Sequence, residues 1–355
     1  MKGCPLRRLI AFTHTQDDPA SRFRLKQYIP YLEQAGWKVS LRTNQPPRPW
    51  QSPFHHSVLK AFHQRAGLLL RRVNRLRDIY DASSFDVVFV NRDLLEGNVR
   101  YEKFLMRQNP RVIFDFDDAI FLDGKAEHIG WICRNAAWVT AGNEYLAHFA
   151  TRFTDNVTVL PTVVEADNYL LKQGFSDPGP FRIGWCGSDR SIEQTLFPYI
   201  EMFARLQTRL GFEFVVMTKP RPVLPASSLR WDYVEWSEAH ETRIASYFDV
   251  GIMPLTGEEY QKGKCGCKIL QYMAAGLPAV VSPVGINTKL VTHGERGFLA
   301  DTEEEWFVAI RTLMSDPILR QKFGSTGREF VEREYSLRGW LPVLLKLLER
   351  VSKYP

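Results

Sequence analysis

Short apolar runs alternate with segments of helical spacing along the first half of the chain. Residues 58–80 carry apolar side chains at three- and four-residue steps and predict a helix, as do residues 21–36 and 144–153. Strands are predicted at RRLIAFTH, WKVSLRTN, FDVVFVNR, RVIFDFDD, AAWVTAG and VTVLPT. Strands that alternate with helices are typical of a parallel sheet with helical crossovers.

The same alternation restarts after KQGFSDPGP, residues 172–180, which has the composition of a linker. Helices are predicted from residue 192 to 209, over HETRIASYF, and from about residues 267, 303, 317 and 337, the one at 303 with a capping box of Thr302 and Glu305. Strands are predicted at FRIGWCG, FEFVVMT, DVGIMPL, AVVS and GFLA. The sequence therefore predicts an α/β protein of two doubly wound domains. Its functional residues are expected just after the strands and in the cleft between the domains.

Composition adds three expectations. The chain has 355 residues, 45% of them hydrophobic and 13% aromatic, which is enough to bury sizeable cores. No run of about 18 apolar residues occurs, and MKGCPLRRLIAFTHTQDD lacks the apolar core of a signal peptide, so we expect no membrane-spanning helix. The net charge of +6 is concentrated, because Lys60 to Arg77 includes six basic residues and no acidic one.

Five scattered cysteines, Cys4, Cys133, Cys186, Cys265 and Cys267, are typical of a reducing, cytoplasmic location rather than of a disulfide framework. The pair Cys265 and Cys267 raises a metal interpretation. Zinc needs about four ligands, and no matching pair of cysteines or histidines occurs elsewhere in the chain. We therefore expect no metal, and two small residues in a tight loop.

Two segments of the second half have the residues of a phosphate site. In GWCGSDRS, Gly187 and Ser188 follow a strand and precede a helix, whose N-terminus attracts anions, and Arg190 adds a cation. In GKCGCKILQYMAAGLPAVVSPVG, Lys264 and Lys268 lie among glycines before a helix, and Pro283, Val284 and Gly285 turn after the next strand. The alternatives are an ordinary strand-to-helix turn and a helix that only packs on the sheet.

At KILQYMAAGLPAVVSPVGINTKLVTHGERGFLA the chain resembles the donor-binding signature of the group-1 nucleotide-sugar glycosyltransferases of GT-B fold. The helices that follow, and PASRFR, VIFDFDDAIF and AGNEYLA in the first half, resemble that family too. The resemblance implies two Rossmann-like domains facing across a cleft: an acceptor domain at 1–171, a donor domain at 172–336, and a helix at 337–355 that crosses back. It also implies a nucleotide diphosphate sugar as co-substrate, a hydroxyl acceptor, and no separate cofactor or metal.

The chain departs from the family pattern at two positions. Where the family has glutamates eight positions apart, this chain has Gly263 and Gln271. An amide still bonds ribose hydroxyls, so Gln271 stays a donor-binding candidate, whereas a glycine has no side chain to contact the sugar. Arg190 also lacks its usual lysine partner, for which Lys264 or Lys268 would substitute.

The first half has its own candidates. In DFDDA, Asp117 and Asp118 follow a strand, and either carboxylate could accept the proton of an acceptor hydroxyl. Arg22, Arg24 and Arg92 could bind an acidic acceptor such as a lipid-linked phosphate. The alternatives are a helix cap for one aspartate and ion pairs between the aspartates and these arginines.

The basic helix at 58–80 predicts contact with an anionic membrane surface on the inner face of the cytoplasmic membrane; alternatively, it packs its apolar stripe on the domain. Nucleic acid is not expected, since no aromatics interleave with the arginines.

The sequence thus predicts a glycosyltransferase of glycan, polysaccharide or glycolipid biosynthesis, with retention of configuration implied by the family. Two alternatives stay open: a nucleotide-sugar epimerase of the same fold, and a degenerate transferase that only binds nucleotide sugars.

Overall fold

The structure, a computed structural model, describes residues 6–15, 18–44, 57–95, 99–122, 124–176 and 179–355. Cys4 and two residues of the predicted linker, 177 and 178, lie outside the described residues. Contacts divide the chain into two compact units, Met1–Thr162 with Trp340–Pro355, and Val163–Gly339. The sequence pattern predicts its boundaries after residues 171 and 336.

The first unit is built on a six-stranded sheet in which all neighbouring strands are parallel, in the order β2–β1–β3–β4–β5–β6. Its strands are β1 Arg7–Phe12, β2 Trp37–Arg42, β3 Val87–Asn91, β4 Val112–Phe116, β5 Trp138–Ala141 and β6 Val157–Val159. Its helices are α1 Pro19–Arg24, α2 Ile29–Gln34, α3 Ser57–Asp81, α4 Arg100–Gln108, α5 Ala126–Asn135 and α6 Glu144–Thr151. The strand order reverses between β1 and β3, which is where ligands of such sheets bind.

The second unit is built on another parallel six-stranded sheet, in the order β12–β11–β10–β7–β8–β9, with its reversal between β7 and β10. Its strands are β7 Arg182–Cys186, β8 Glu213–Thr218, β9 Trp231–Glu235, β10 Val250–Met253, β11 Ala279–Val281 and β12 Gly297–Leu299. Its helices are α7 Asp189–Thr195, α8 Ile200–Leu210, α9 Glu238–Thr242, α10 Glu259–Lys262, α11 Cys267–Ala274, α12 Asn287–Leu290, α13 Glu303–Ser315 and α14 Pro317–Glu334. The prediction of two doubly wound α/β sheets is confirmed.

The last helix, α15, Leu337–Ser352, belongs to the first unit from Trp340 onward. Two contacts fix it there: Arg7 Nη1 lies 3.2 Å from Glu349 Oε1, and the Arg350 guanidinium lies 4.2 Å from the centre of the Trp138 ring. Segments from both ends of the chain therefore belong to the first unit.

The predicted starts of α13, α14 and α15 are confirmed, as is the capping box of Thr302 and Glu305. Two predicted helices are each split in two around a short 3-10 turn, one before Pro30 and one at Pro198. A proline inside a helix removes a backbone donor and clashes with the preceding turn, so the chain changes direction there. Strand β9 went unpredicted because it is a half-exposed edge strand without an apolar run.

A buried ion pair holds the centre of the first unit. Asp115 in β4 is fully buried, and Arg24 from α1 is 1% exposed. Arg24 Nε donates to Asp115 Oδ2 at 3.1 Å, and its Nη2 donates to Oδ1. Asn91 Nδ2 and Thr140 Oγ1 donate to the same carboxylate at 2.8 and 2.7 Å. Four donors from α1, β3 and β5 thus converge on one carboxylate, which compensates for the cost of burying its charge.

We predict that Asp115→Ala destabilises the first unit by about 3–5 kcal/mol, because it leaves the Arg24 charge buried without its partner. Denaturant unfolding, followed by circular dichroism, measures the change. Glu303→Gln is the matched control. It removes a solvent-accessible ion pair between Glu303 and Arg205, and such pairs contribute little to stability because water and salt screen them. Equal losses from the two variants would contradict the structural role of Asp115.

Candidate functional site

The turn between β7 and α7 lies at the reversal point of the second sheet. Ser188 caps α7, its Oγ accepting a hydrogen bond from Ser191 N at 3.2 Å. Gly187 has no room for a side chain, since a Cβ there would lie 2.5 Å from the Trp185 ring and 2.7 Å from Lys268 Cε. In the predicted Gly187–Ser188 turn, the backbone and the Lys268 side chain therefore lie close together.

Lys268 is the cation that the fold brings to this turn. Its Nζ donates to Ser191 Oγ at 2.8 Å and lies 5.1 Å from the centre of the Trp185 ring. Lys264 Nζ lies 5.1 Å from the centre of the Tyr260 ring. Arg190 is exposed on the first turn of α7. Of the three predicted cations, Lys268 is thus the one placed against the strand-to-helix turn.

The turn at Pro283–Gly285 packs on the end of α10. Gly285 has φ +56°, in the left-handed region, and a Cβ there would lie 2.7 Å from Lys262 O. Glycine satisfies both constraints because it has no Cβ. The two segments that the sequence predicts to grip a phosphorylated ligand are therefore neighbours in the fold, and their binding role stays a prediction.

Helix α11 is fixed to the carboxyl ends of two strands by Tyr272. Its hydroxyl donates to Ile252 O at 3.2 Å and accepts from Cys186 N at 3.2 Å. Burial raises the pKa of this phenol well above its ordinary value, so it stays protonated and able to donate. The neighbouring Gln271 is 4% exposed and Gly263 is buried, so both positions that depart from the family pattern lie inside the second unit.

Three polar residues that the sequence did not single out order the loop after β10. Gln261 Oε1 accepts from Thr256 N at 2.6 Å, and its Nε2 donates to Gln194 O at 2.9 Å. Ser282 Oγ accepts from Leu255 N at 2.9 Å, and Asn287 Nδ2 donates to Ser282 O at 3.0 Å. The sequence gives no signal for these contacts, because a polar residue by itself does not specify its partner.

No three His, Cys, Asp or Glu side chains within the described ranges come together as a group that could hold a metal ion. Cys265 is buried, with Sγ 3.9 Å from Gly263 O, and Cys267 is partly buried. Glu259 forms an ion pair with Lys262 at 2.5 Å.

In the first unit, Arg92 joins the two candidate catalytic carboxylates. Its Nε donates to Asp117 Oδ1 at 3.0 Å and its Nη2 to Asp118 Oδ2 at 2.8 Å, while its own N donates to Asp115 O at 2.7 Å. Arg92 has φ +62°, a left-handed conformation that is costly for a side chain of this size. A strained residue at a reversal point of the sheet therefore holds both aspartates.

Burial raises the pKa of the Asp117 carboxyl, and the charge of Arg92 opposes that shift. A carboxylate with a raised pKa is a stronger base than an ordinary one, which suits proton abstraction from a hydroxyl. The ion pairs with Arg92 are the alternative that the sequence left open. They are compatible with a catalytic role, which stays a prediction.

The three predicted acceptor-side arginines have different surroundings. Arg24 lies inside the unit, where its donors hold Asp115 and, through Nη1, Leu160 O at 2.5 Å. This placement favours a structural role over contact with an acceptor. The guanidinium of Arg22 lies 5.0 Å from the centre of the Phe23 ring. Arg92 is joined to both predicted catalytic residues by ion pairs.

A further pair at this edge was missed from the sequence. His14 follows β1, Asp93 follows β3, and His14 Nε2 lies 3.5 Å from Asp93 Oδ1 and 3.2 Å from Asp93 O. Burial raises the pKa of Asp93, but its hydrogen bond to His14 and the charge of His14 act against burial, and the net shift is downward. Their separation by 79 positions hides the pair in the sequence.

Comparisons with known proteins agree with the fold. The family model described as "Glycosyl transferases group 1" matches residues 180–316, which cover the donor-side turns above. No curated protein matches the chain by sequence.

Among solved structures, sucrose-phosphate synthase from Thermosynechococcus elongatus superposes with a TM-score of 0.73 at 14% identity, covering 97% of this chain and 99% of that one. HepE from Anabaena, in complex with UDP and glucose, gives 0.68 at 14% identity, covering 97% and 100%. The lipopolysaccharide outer core galactosyltransferase WaaB gives 0.63 at 10% identity, covering 97% and 99%. These likenesses extend over nearly the whole of both chains. The chain therefore has the GT-B fold, and its residues 180–316 form the group 1 glycosyltransferase domain of a transferase enzyme.

Proposed function

We propose that the protein transfers a sugar from a nucleotide diphosphate donor to a hydroxyl acceptor in the assembly of a glycan, polysaccharide or glycolipid. One observation carries this proposal: at one edge of the second sheet, Lys268 lies against the Gly187–Ser188 turn. At the same edge, the Pro283–Gly285 turn lies against Lys262. This is the combination of close backbone and cation that a diphosphate requires. HepE, which has the same fold, binds UDP, and that supports the same class of donor here.

In the proposed reaction, the acceptor oxygen forms a bond to the anomeric carbon while the bond from that carbon to the diphosphate breaks. The leaving diphosphate takes the bonding electrons, and Lys268, Lys264 and Arg190 stabilise its charge. Either Asp117 or Asp118 accepts the proton of the acceptor hydroxyl. Gln271 binds the donor ribose, the anomeric configuration is retained, and no metal or further cofactor takes part.

We propose that the enzyme acts in the cytoplasm, in agreement with the free thiols of Cys133, Cys186, Cys265 and Cys267. The acceptor is a glycan or a lipid-linked molecule, and Arg92 is the acceptor-side arginine that the fold holds beside the two aspartates.

The proposal predicts that a nucleotide diphosphate raises the melting temperature of the folded protein, because it binds the native state alone. A thermal-shift screen over UDP, GDP, ADP and their sugars measures this and identifies the base. Incubation of the best nucleotide sugar without acceptor then separates the alternatives, since an epimerase converts the donor alone. Binding without turnover over a broad acceptor panel would instead support a degenerate binding subunit, and the absence of any shift would refute the proposal.

We predict that Lys268→Ala weakens nucleotide diphosphate binding by about 10- to 100-fold, since a charge-assisted hydrogen bond contributes about 1.5–3 kcal/mol. Isothermal titration calorimetry with the best-binding nucleotide measures the dissociation constant. Lys322→Ala removes an exposed lysine of α14 and serves as the matched control, for which no change is expected. An unchanged affinity in Lys268→Ala would remove this residue from the donor site.

We predict that kcat falls as the pH is lowered through the raised pKa of Asp117, because protonation removes the base. Asp117→Asn should lower kcat by about 10²- to 10⁴-fold and abolish this acidic limb. Asp118→Asn keeps the neighbouring carboxylate and is the matched comparison. If Asp118→Asn has the larger effect, Asp118 is the base. If both variants keep the wild-type pH profile, neither aspartate accepts the proton.

A further inference from the structure

Helix α3 exposes its apolar stripe and buries arginines. The stripe consists of residues spaced by seven, four, three and four positions, with these exposed fractions: Phe62 72%, Leu69 63%, Val73 46%, Leu76 43% and Tyr80 69%. The opposite face, turned to the unit, carries Arg71, Arg75 and Ile79, which are all buried. The alternative that the stripe packs on its own domain is therefore not what the structure has.

Helix α3 runs from the carboxyl edge of the first sheet toward its amino edge. Arg75 Nη2 donates to Asn44 Oδ1 at 2.5 Å and to Thr13 O at 3.5 Å. Asn44 follows the carboxyl end of β2, and Thr13 follows that of β1. The other end of α3 lies near the amino edge, where Asn109 Nδ2 donates to Ala82 O at 2.9 Å. The residues before Arg75 therefore lie on the side of the carboxyl edge.

From residue 58 to residue 77, the charged residues of α3 are all basic. Lys60, Arg65, Arg72 and Arg77 are exposed, and no acidic residue occurs from 58 to 77. The first acid, Asp78, is within 3.3 Å of Arg42 and 3.8 Å of Arg75. Arg65 and Arg72 each follow a stripe residue by three positions, so they border it on the helix surface.

An open groove of about 470 Å³ continues this apolar face onto α4. Its lining includes Val73, Leu76 and Tyr80 of the stripe, together with Phe104. An apolar face of this extent is typical of a binding surface, since soluble proteins otherwise cover such areas.

We propose that α3 docks the protein on an anionic phospholipid bilayer, with the stripe inserted at the boundary between headgroups and acyl chains and Arg65, Arg72 and Arg77 on lipid phosphates. The chemistry of the face matches such a surface, which attracts cations and accepts apolar side chains at once. A second copy of the chain fits less well, because it would bring two sets of cations together. Within the described ranges no helix is both long and apolar enough to cross a membrane, so the proposed contact lies in the interface.

The direction in which α3 runs has a consequence for the substrate of the docked protein. The bilayer would lie at the carboxyl edge of the first sheet, on the side where Arg92, Asp117 and Asp118 follow their strands. If the proposed transfer function holds, on which this point rests, the acceptor is a lipid-linked molecule whose hydroxyl lies at the bilayer surface.

Co-sedimentation with vesicles tests the docking without any turnover. The full chain should pellet with vesicles of equal parts phosphatidylglycerol and phosphatidylcholine, and much less with phosphatidylcholine alone or at high salt. Arg65→Gln/Arg72→Gln should lower the partition coefficient by about 30-fold, and Phe62→Ser/Leu69→Ser by on the order of 10- to 100-fold. Thermal melting establishes that the variants, all at exposed positions, remain folded.

Matched controls at exposed positions of the second unit, Val223→Ser/Ile318→Ser and Arg230→Gln/Arg243→Gln, should bind the vesicles like the wild type. The proposal is overturned if the wild type stays in solution with anionic vesicles, or if the α3 variants bind as it does. It is equally overturned if gel filtration shows a dimer that Phe62→Ser/Leu69→Ser dissociates while vesicle binding is absent. Nucleotide-induced shifts in melting temperature, measured on the same variants, report separately on the transfer function.

Discussion

Parallel pairing is the constraint on which both units depend. Every pair of neighbouring strands in the two sheets is parallel, so every chain crossing passes over a face of the sheet and every carboxyl end reaches the same edge. The faces are thereby covered by helices, and the edge collects the residues that follow each strand. This is why Gly187 lies against Lys268, and Gly285 against Lys262, in the second unit, and why Arg92 meets Asp117 and Asp118 in the first.

The two units use this edge differently. In the first, charge is concentrated: Asp115 is held by Arg24, Asn91 and Thr140 inside the sheet, and the strained Arg92 bridges two further carboxylates just beyond it. In the second, close backbone approach dominates, with glycines at positions where any Cβ would clash and a single lysine drawn over the turn. The first arrangement suits control of a proton, and the second suits an anionic ligand, which are the roles that the proposed function gives to the two units.

Much of the fold could be predicted because its signals are local. Apolar runs specified eleven of the twelve strands in the described part of the chain, and the capping box of Thr302 and Glu305 specified where α13 begins. The missed elements have physical reasons. Strand β9 is an edge strand with little burial, so it carries no apolar run, and Pro30 and Pro198 interrupt segments whose periodicity alone favours one continuous helix. The ordering of the loop after β10 by Gln261 and Ser282 could not be predicted, because a lone polar residue does not identify its partner.

The sequence by itself determined the alternation of strands and helices, the two segments with the residues of a phosphate site, and the amphipathic character of α3, since each depends on neighbours in the chain. Only the tertiary structure decided which of the candidate residues meet. Arg24 lies in the interior, Arg92 contacts the two aspartates, and His14 pairs with Asp93. Helix α3 buries Arg71 and Arg75 and exposes its apolar stripe. These outcomes depend on contacts between residues distant in sequence. The Arg24 charge, for example, can be buried only because the folded chain brings Asp115 and Leu160 O to it as hydrogen-bond acceptors.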